Sequence, residues 1–403
     1  LGLAYLASSL RKEFGNGIEC KIIDGNITGN IKSFDPDIVG ITSVSRNYNV
    51  AKGYASIAKQ AALPVIIGGV HISVLPETIT KDMNVAVIGE GEETIRGLIA
   101  LFMETGLFGR QIAESKDLIK PLDSIPFPAR DLLKIGKHAS MITSRGCPYN
   151  CVFCSTSRNT RNQVRYHSAE YVVTEMELIY REYKPEYITI YDDLFAMDTK
   201  RVIEIQQRMA DKNLIGKFSL SVNTRANFVT DELAEVLHDM NVKVVALGIE
   251  SGCQKTLDYL KSGGMTVEDN ARAVRIIKKH HIRPYCIFII GSPDEDMDSV
   301  SQTLKFIKDN KIEHYDINVL TPFPGTPVWD YALSRELVSN DMDWSKLDFN
   351  INSEPIILSE KISRQDITGV LSKVAGSKKR NLLKRKVKNV IRHPKKYIAM
   401  WMA

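Results

Sequence analysis

Three of the six cysteines of this chain lie in one stretch, Ser144-Arg-Gly-Cys147-Pro-Tyr-Asn-Cys151-Val-Phe-Cys154. Their spacing is C-x-x-x-C-x-x-C. Cysteine thiolates hold iron–sulfur clusters, and a cubane cluster has four irons to ligate. Three closely spaced thiolates can therefore hold three irons and leave the fourth open to a substrate or cosubstrate. The spacing predicts a [4Fe-4S] cluster with Cys147, Cys151 and Cys154 as its protein ligands.

Two alternatives fit the same cysteines, a structural zinc site or three buried core cysteines. Zinc would need a fourth Cys or His close by in a paired motif, and the next histidine, His167, has no such pairing. The remaining cysteines are scattered among apolar residues. We interpret them as core residues of a protein kept in a reducing compartment: Cys20, Cys253 and Cys286.

With Phe153 directly before the third cysteine, the motif resembles the signature of the radical S-adenosylmethionine superfamily. The segment before it resembles the cobalamin-binding branch of that superfamily, and the likeness runs from Leu1 to about Trp329. The resemblance implies that the open iron chelates S-adenosylmethionine through its amino and carboxylate groups. It also implies that the reduced cluster cleaves this cosubstrate to methionine and a 5′-deoxyadenosyl radical, and that methylcobalamin donates a methyl group.

The 403 residues are enough for two domains and an extension, and the apolar fraction of 44% and charged fraction of 25% are ordinary. No run of eighteen apolar residues predicts a membrane span, no signal peptide is recognised, and we expect a cytoplasmic protein. The net charge of +5 is unevenly distributed, because residues 376–403 contain ten Lys and Arg and no acid. The rest of the chain therefore carries −5 and is mildly acidic.

Strands alternate with helices through residues 1–115, which predicts a doubly wound, Rossmann-like parallel sheet. The predicted strands are 18–23, 37–43, 64–69 and 85–88, and the predicted helices are 1–14, 48–62 and 92–102. Because the chain starts in a helix, we interpret the first strand of this domain as truncated. No loop has the G-x-G-x-x-G pattern, so a dinucleotide is not expected.

The loops after these strands are the predicted ligand site, because parallel sheets bind ligands at the carboxyl ends of their strands. Paired glycines there let a ligand approach the backbone closely, although each loop alone is also explained as a tight turn. Together the loops resemble those of cobalamin-binding domains. The resemblance assigns ten residues to cobalamin: Ser43, Ser45, Arg46, Tyr48, Gly68, Gly69, His71, Gly89, Glu90 and Gly91.

The chain departs from the pattern D-x-H-x-x-G, in which many cobalamin domains ligate cobalt through the histidine. The matching segment is Asp24-Gly-Asn-Ile-Thr-Gly29, with Asn26 in place of that histidine. We therefore expect no cobalt ligand from this loop. We expect His71 to hydrogen-bond the loop or the corrin edge and not the metal.

A proline-containing linker, residues 116–137, leads to a second series of strands and helices over residues 138–329. Six strand–helix units predict an open, TIM-like parallel barrel, whose chemistry gathers at the carboxyl ends of the strands. The predicted strands are 140–143, 187–191, 218–222, 242–248, 285–290 and 315–320, and three of the predicted helices are 168–182, 199–211 and 231–240. The cysteine motif follows the first of these strands.

Polar residues follow the later barrel strands, and the resemblance assigns them to S-adenosylmethionine together with Phe153. It implies that Asp192 or Asp193 accepts the amino group and that Arg225 lies near the cosubstrate. The residues alone leave other roles open, since the acid pair could cap the next helix and Arg225 could form a surface salt bridge. The full predicted set is Phe153, Asp192, Asp193, Asn223, Arg225, Glu250 and Gly291.

Residues 330–403 are predicted to form a helical extension with a basic tail, including helices at 330–338 and 362–374. Residues 378–392 have the pattern of a basic amphipathic helix. Such a helix fits contact with an anionic membrane surface or nucleic acid, and it equally fits packing on the barrel.

These features predict a cobalamin-dependent radical S-adenosylmethionine enzyme that methylates an unactivated carbon of a small-molecule or lipid-like substrate. We expect an electron donor such as flavodoxin or ferredoxin and no nucleic-acid partner. The alternatives are a methylthiotransferase, a cyclase-type enzyme, or a non-catalytic cobalamin or redox sensor. A methylthiotransferase would carry a second cysteine trio in the first domain, where only Cys20 precedes the motif.

Overall fold

Two parallel β-sheets organise the chain. The computed structural model describes residues 1–115, 117–348, 355–376 and 378. The first sheet has its strands in chain order, β1 (Val39–Thr42), β2 (Val65–Gly68), β3 (Val85–Ile88) and β4 (Gln111–Glu114). Its helices are α1 (Gly2–Phe14), α2 (Ile27–Phe34), α3 (Tyr48–Gln60), α4 (Val70–Val74) and α5 (Gly91–Thr105).

Strand β2 shows why helices cover both faces of this sheet. Its β-branched residues are buried, and side chains of a strand alternate between faces. Val65 and Ile67 pack into a cluster with α3, whereas Ile66 packs into a cluster with α1 and α5. The predicted doubly wound arrangement is confirmed.

The prediction of a strand at residues 18–23 is wrong, because this segment forms no strand. A groove of about 500 Å³, lined by Ile23 and Ile38 among others, separates it from β1. Without a neighbour at hydrogen-bonding distance, an apolar sequence alone does not make a strand. The opposite edge strand, β4, was missed by the prediction, since its short sequence has no apolar run and Ile112 is 54% exposed.

Eight strands follow the linker: β5 (His138–Met141), β6 (Ser144–Arg145), β7 (Arg165–Tyr166), β8 (Tyr187–Ile190), β9 (Ser219–Thr224), β10 (Val242–Glu250), β11 (Arg283–Ile290) and β12 (Tyr315–Val319). Six of them form one parallel sheet in the order β12-β11-β10-β9-β8-β5. This is the predicted six-stranded barrel sheet. The other two, β6 and β7, form a separate antiparallel ladder.

The helices of this part are α6 (Thr156–Asn159), α7 (Ala169–Tyr183), α8 (Thr199–Asp211), α9 (Asp231–Asp239), α10 (Gln254–Lys261), α11 (Val267–Lys279), α12 (Met297–Asp309) and α13 (Pro327–Ser334). Helix α13 begins before the predicted residue 330, because Thr326 accepts the Trp329 N–H and Pro327 suits the first turn. A last helix covers residues 364–376. None of the described helices combines the length and apolar character needed to span a bilayer.

The linker packs against the first domain. Ile119, Leu122 and Ile125 form a small apolar cluster with Tyr5 of α1. The backbone N–H of Ala129 also donates to a carbonyl of α1. The two sheets are therefore held together by an ordered connection. The predicted basic helix, apart from Lys378, lies outside the described residues.

Candidate active site

The three motif cysteines lie on the loop between β6 and α6, each half-buried with a free thiol. Burial, together with the nearby Asp193, Cys154 and Cys151, raises the pKa of Cys147 to about 11. Binding of a cluster here would therefore release protons. Among the described residues, no three His, Cys, Asp or Glu side chains form a ready site for a single metal ion. A cubane cluster is larger, and each of the three irons held by the protein takes one thiolate.

Hydrogen bonds from two directions hold this loop. At its start, the Asp192 carboxylate accepts the Thr143 N–H at 2.5 Å and the Ser144 hydroxyl at 2.7 Å. At its middle, the Val152 N–H donates to the carbonyl of Leu260, the penultimate residue of α10, at 3.1 Å. The barrel therefore fixes the path of the cysteine loop through its own hydrogen bonds.

Two buried cations face the cysteine loop. The Arg225 guanidinium lies 3.9 Å from the Tyr149 ring centroid, and its Nη1 lies 3.9 Å from Cys151 Sγ. Lys261 lies 6.0 Å from the Phe153 ring. Burial raises the pKa of Cys151, and both cations oppose that rise. Arg225 is only 3% exposed, so it does not form the surface salt bridge considered as its alternative role.

Glu250 is paired with Lys261, a partner that the sequence analysis missed. The Lys261 Nζ lies 2.8 Å from Glu250 Oε1, and both side chains are buried. Glu250 adopts φ +62°, a left-handed conformation, at an irregularity in the register of β10. A side chain at Gly248 would collide with the Glu250 carboxylate. The sequence gives no local signal for Lys261 beyond its place at a helix end, because the pairing is long-range.

The two adjacent acids after β8 have different environments. Asp192 is 1% exposed and its oxygens are used by the loop hydrogen bonds described above. Asp193 borders the cleft between the two sheets, and burial raises its pKa. Helix α8 is capped by Asp198, so neither acid is the helix cap. Asp193 is therefore the acid better placed for a ligand.

The remaining predicted S-adenosylmethionine residues lie at the ends of β9 and β11. The Asn223 side-chain amide donates to the Asp192 carbonyl at 3.3 Å. Gly291 has φ +91°, and its N–H donates to Glu295 Oε2 at 2.5 Å, as does the Ser292 N–H at 3.1 Å. Burial raises the pKa of Glu295 to about 7. Glu295 was also missed by the sequence analysis, since no pattern distinguishes it from its acidic neighbours.

In the first sheet, His71 is fully buried and makes two hydrogen-bond contacts. Its Nδ1 lies 3.1 Å from Ser45 Oγ and its Nε2 lies 3.1 Å from Thr78 Oγ1. The ring stacks on Tyr48 at 3.9 Å, and burial lowers the pKa of His71 to about 4. Both ring nitrogens are thus engaged by hydroxyl groups of the same domain.

Two residues predicted to bind cobalamin, Arg46 and Glu90, form ion pairs with other side chains of the protein. Arg46 pairs with Asp348 of the C-terminal extension at 2.9 Å. Glu90 contacts Arg145 at 2.9 Å and Arg165 at 2.7 Å. Burial alone would raise the pKa of Glu90, but the two arginines lower it to about 2. Both side chains therefore hold parts of the protein together.

A cleft of about 420 Å³ lies between the carboxyl edges of the two sheets. One wall includes residues 40–42, 68–69 and 89–92, and the other includes residues 144–146, Tyr191 and Asp193. Gly69 has φ +100°, and a side chain there would lie 2.6 Å from the Ser43 carbonyl oxygen. This glycine-lined wall fits a large planar ligand. Five predicted cobalamin residues do not line the cleft: Ser43, Ser45, Arg46, Tyr48 and His71.

Comparison with known proteins assigns this arrangement to a family. The family model of the radical SAM superfamily matches residues 141–307, and that of the B12 binding domain matches residues 1–99. An uncharacterised methyltransferase of Pyrococcus horikoshii is 33% identical, over 93% of this chain and 86% of its own. The chain belongs to the cobalamin-binding radical S-adenosylmethionine enzymes. Its cofactors are therefore a [4Fe-4S] cluster, S-adenosylmethionine and cobalamin, as predicted.

A second relative by sequence is also named as a methyltransferase, and a solved structure shares the fold. Bacteriochlorophyllide d C-12(1)-methyltransferase of Chlorobaculum tepidum is 26% identical, over 77% of this chain and 68% of its own. The radical S-adenosylmethionine methyltransferase TsrM from Kitasatospora setae has a TM-score of 0.71 and 18% identity, covering 88% of this chain and 77% of its own. That likeness shows the shared fold. The predicted enzyme class is confirmed, and the methylthiotransferase, cyclase and sensor alternatives have no better support.

Proposed function

We propose that this enzyme transfers a methyl group to an unactivated carbon of an apolar or amphipathic small molecule. The observation that supports the proposal is the cleft that is lined by loops of both sheets. Its one wall contains glycines of the predicted cobalamin loops, and its other wall contains residues 144–146, which lead directly into Cys147. A methyl donor and a radical source would thus be held on opposite sides of one space.

When bound, the cofactors supply the radical that takes a hydrogen atom from the substrate and the methyl group that replaces it. The chain's own residues bind and orient. Cys147, Cys151 and Cys154 would hold the cluster, while Arg225 and Lys261 place positive charge beside these thiolates.

The cosubstrate would be oriented by groups at four strand ends. Asp193 would accept its amino group, because Asp192 is already engaged by the loop. Gly291 would let the adenine lie against the backbone, and Asn223 would contact the ribose. We propose Glu250 as a further ribose contact that exchanges part of its pairing with Lys261.

The corrin would lie against the glycine-lined wall formed by Gly68, Gly69, Gly89 and Gly91. No histidine reaches this wall from the loop that carries Asn26, so the protein would supply no histidine ligand to cobalt from there. Two exposed apolar residues nearby, Val44 after β1 and Val70 at the start of α4, offer additional contact area.

The substrate class is proposed from the relatives' names and the cleft. One relative is named for methylation of bacteriochlorophyllide d and another is the hopanoid C-2 methylase, so both named substrates are large and mostly apolar. An electron donor of the flavodoxin or ferredoxin type, a cytoplasmic location and membrane contact through the basic tail stay predictions. So do the domain limits at residues 115, 137 and 329.

The test uses anaerobically reconstituted enzyme with cobalamin, dithionite and S-adenosylmethionine deuterated at its methyl group. Tetrapyrroles and hopanoids are offered separately, and products are analysed by mass spectrometry. We expect 5′-deoxyadenosine and a deuterated methyl group on one acceptor, both lost in Asp193→Asn and kept in the exposed control Glu204→Gln. An acceptor that changes mass without gaining label would contradict methylation and favour the cyclase. Absence of 5′-deoxyadenosine from the loaded wild type would favour the sensor.

A further inference from the structure

The strand that leads into the cysteine motif has an unfavourable pairing. In the two-residue ladder of β6 and β7, Arg145 lies directly opposite Arg165. Like charges directly opposite one another destabilise an antiparallel pair. Both side chains are largely buried, so water screens the repulsion between the two charges only weakly. The ladder therefore needs an anion from elsewhere in the molecule.

That anion comes from the first domain. Glu90, in the loop between β3 and α5, bridges both guanidinium groups. Its Oε1 lies 2.9 Å from Arg145 Nη1 and 2.8 Å from Arg165 Nη2, and its Oε2 lies 2.7 Å from Arg165 Nη1. The same Oε2 accepts the Ile119 N–H of the linker at 2.8 Å, and Glu92 contacts Arg145 at 2.5 Å.

The ladder in turn controls the first cysteine. Arg145 is two residues before Cys147, with only Gly146 between them. Gly146 has φ +101°, and a side chain there would collide with the Gln163 carbonyl. This close contact ties the backbone before Cys147 to the segment that leads into β7. Any shift of the ladder therefore moves Cys147.

We infer that Glu90 is a positioning residue for the iron–sulfur cluster, because it bridges the paired arginines of the β6–β7 ladder and so fixes Cys147. This inference rests on the proposed role of Cys147, Cys151 and Cys154 as cluster ligands. It gives the first domain a second task beside holding cobalamin, which is to complete the cluster loop of the barrel. It also explains why Glu90, which borders the cleft, forms ion pairs with two arginines.

The test compares Glu90→Gln with Glu93→Gln in anaerobically reconstituted protein that contains both domains. Glu93 is a matched control, since it lies three residues further along the chain, in the first turn of α5, is 65% exposed and pairs with Arg96 at 3.9 Å. Iron and sulfide per chain are measured, along with the rate of iron loss to a chelator and the electron paramagnetic resonance spectrum of the reduced cluster. We expect Glu90→Gln to lose iron on the order of tenfold faster and to change the spectrum.

The double variant Glu90→Gln/Arg165→Gln separates this role from general misfolding. Removing one arginine removes the like-charge pair, so we expect iron retention to recover toward the wild-type value. Equal retention by Glu90→Gln and wild type, or equal loss by the single and double variants, would overturn the inference and leave the proposed function intact. A wild type that takes up no iron would instead overturn the ligand assignment itself.

Discussion

At the scale of single residues, buried ion pairs place the groups of the candidate site. Glu250 was predicted as a contact of S-adenosylmethionine, and a carboxylate buried after a strand requires a partner. That this partner is Lys261 could not be predicted, because nothing within the short helix α10 distinguishes this lysine from Lys255. The pair, with its 2.8 Å contact, forms only when β10 and α10 fold against each other, so the sequence pattern does not predict it.

Replacing Lys261 with methionine tests this pair. The Glu250 carboxylate would be left buried without its partner, and breaking a buried pair in this way costs about 3–5 kcal/mol. We expect the free energy of unfolding, measured with urea, to fall by this order in Lys261→Met. The exposed Lys255→Met on the same helix is the control. Equal unfolding curves for both variants would show that Glu250 needs no partner.

The pKa of His71 predicts a pH dependence. Burial lowers this pKa from about 6.5 in the unfolded chain to about 4 in the folded protein, so between these values the unfolded state binds more protons. Stability from His71 is therefore present above pH 6.5 and is lost as the pH falls toward 4. The full effect is on the order of 3 kcal/mol.

We expect His71→Gln to flatten the fall in unfolding free energy between these pH values, whereas the exposed His238→Gln should leave it unchanged. Unfolding with urea at several pH values gives the measurement. Burial also lowers the pKa of His167 to about 4, so part of the pH dependence of the unfolding free energy will remain in His71→Gln. The same slope in His71→Gln and wild type would show that His71 is not held neutral by burial.

At the scale of secondary-structure elements, apolar runs in the barrel were sufficient to predict all six strands of its sheet. The same reasoning failed at residues 18–23, where the chain is apolar but no strand lies beside it. It also missed β4, whose alternating sequence on an exposed edge gives little signal. The periodicity of apolar residues indicates which residues are buried, but it does not indicate whether a neighbouring strand is present to form hydrogen bonds.

The C-terminal extension provides a prediction at this scale. Trp344, in a short turn of the extension, is buried. Its ring centroid lies 4.6 Å from that of His71 in the first domain and 5.9 Å from that of Trp329 in α13. Trp344→Ala should lower the free energy of unfolding by about 3–5 kcal/mol. The control is the exposed Leu337→Ala, and urea unfolding is the measurement. Equal loss in both variants would mean that the extension does not stabilise the first domain.

At the scale of the whole molecule, the two sheets turn their carboxyl edges toward one cleft. The order of the two parts and the class of each could be predicted from the motif and the loops. The relation between them could not, because it depends on contacts such as Glu90 with Arg165, which are 75 residues apart in the chain. These contacts make the first domain part of the environment of the cysteine loop.

The central claim is that three thiolates hold a cluster that cleaves S-adenosylmethionine. The most direct measurement compares wild type, Cys151→Ala and Cys20→Ala after anaerobic reconstitution with iron and sulfide. Iron per chain is determined, and 5′-deoxyadenosine is quantified after addition of dithionite and S-adenosylmethionine. The account predicts that wild type and Cys20→Ala form 5′-deoxyadenosine and that Cys151→Ala does not. Undiminished formation of 5′-deoxyadenosine by Cys151→Ala, or a wild type that binds no iron, would contradict it.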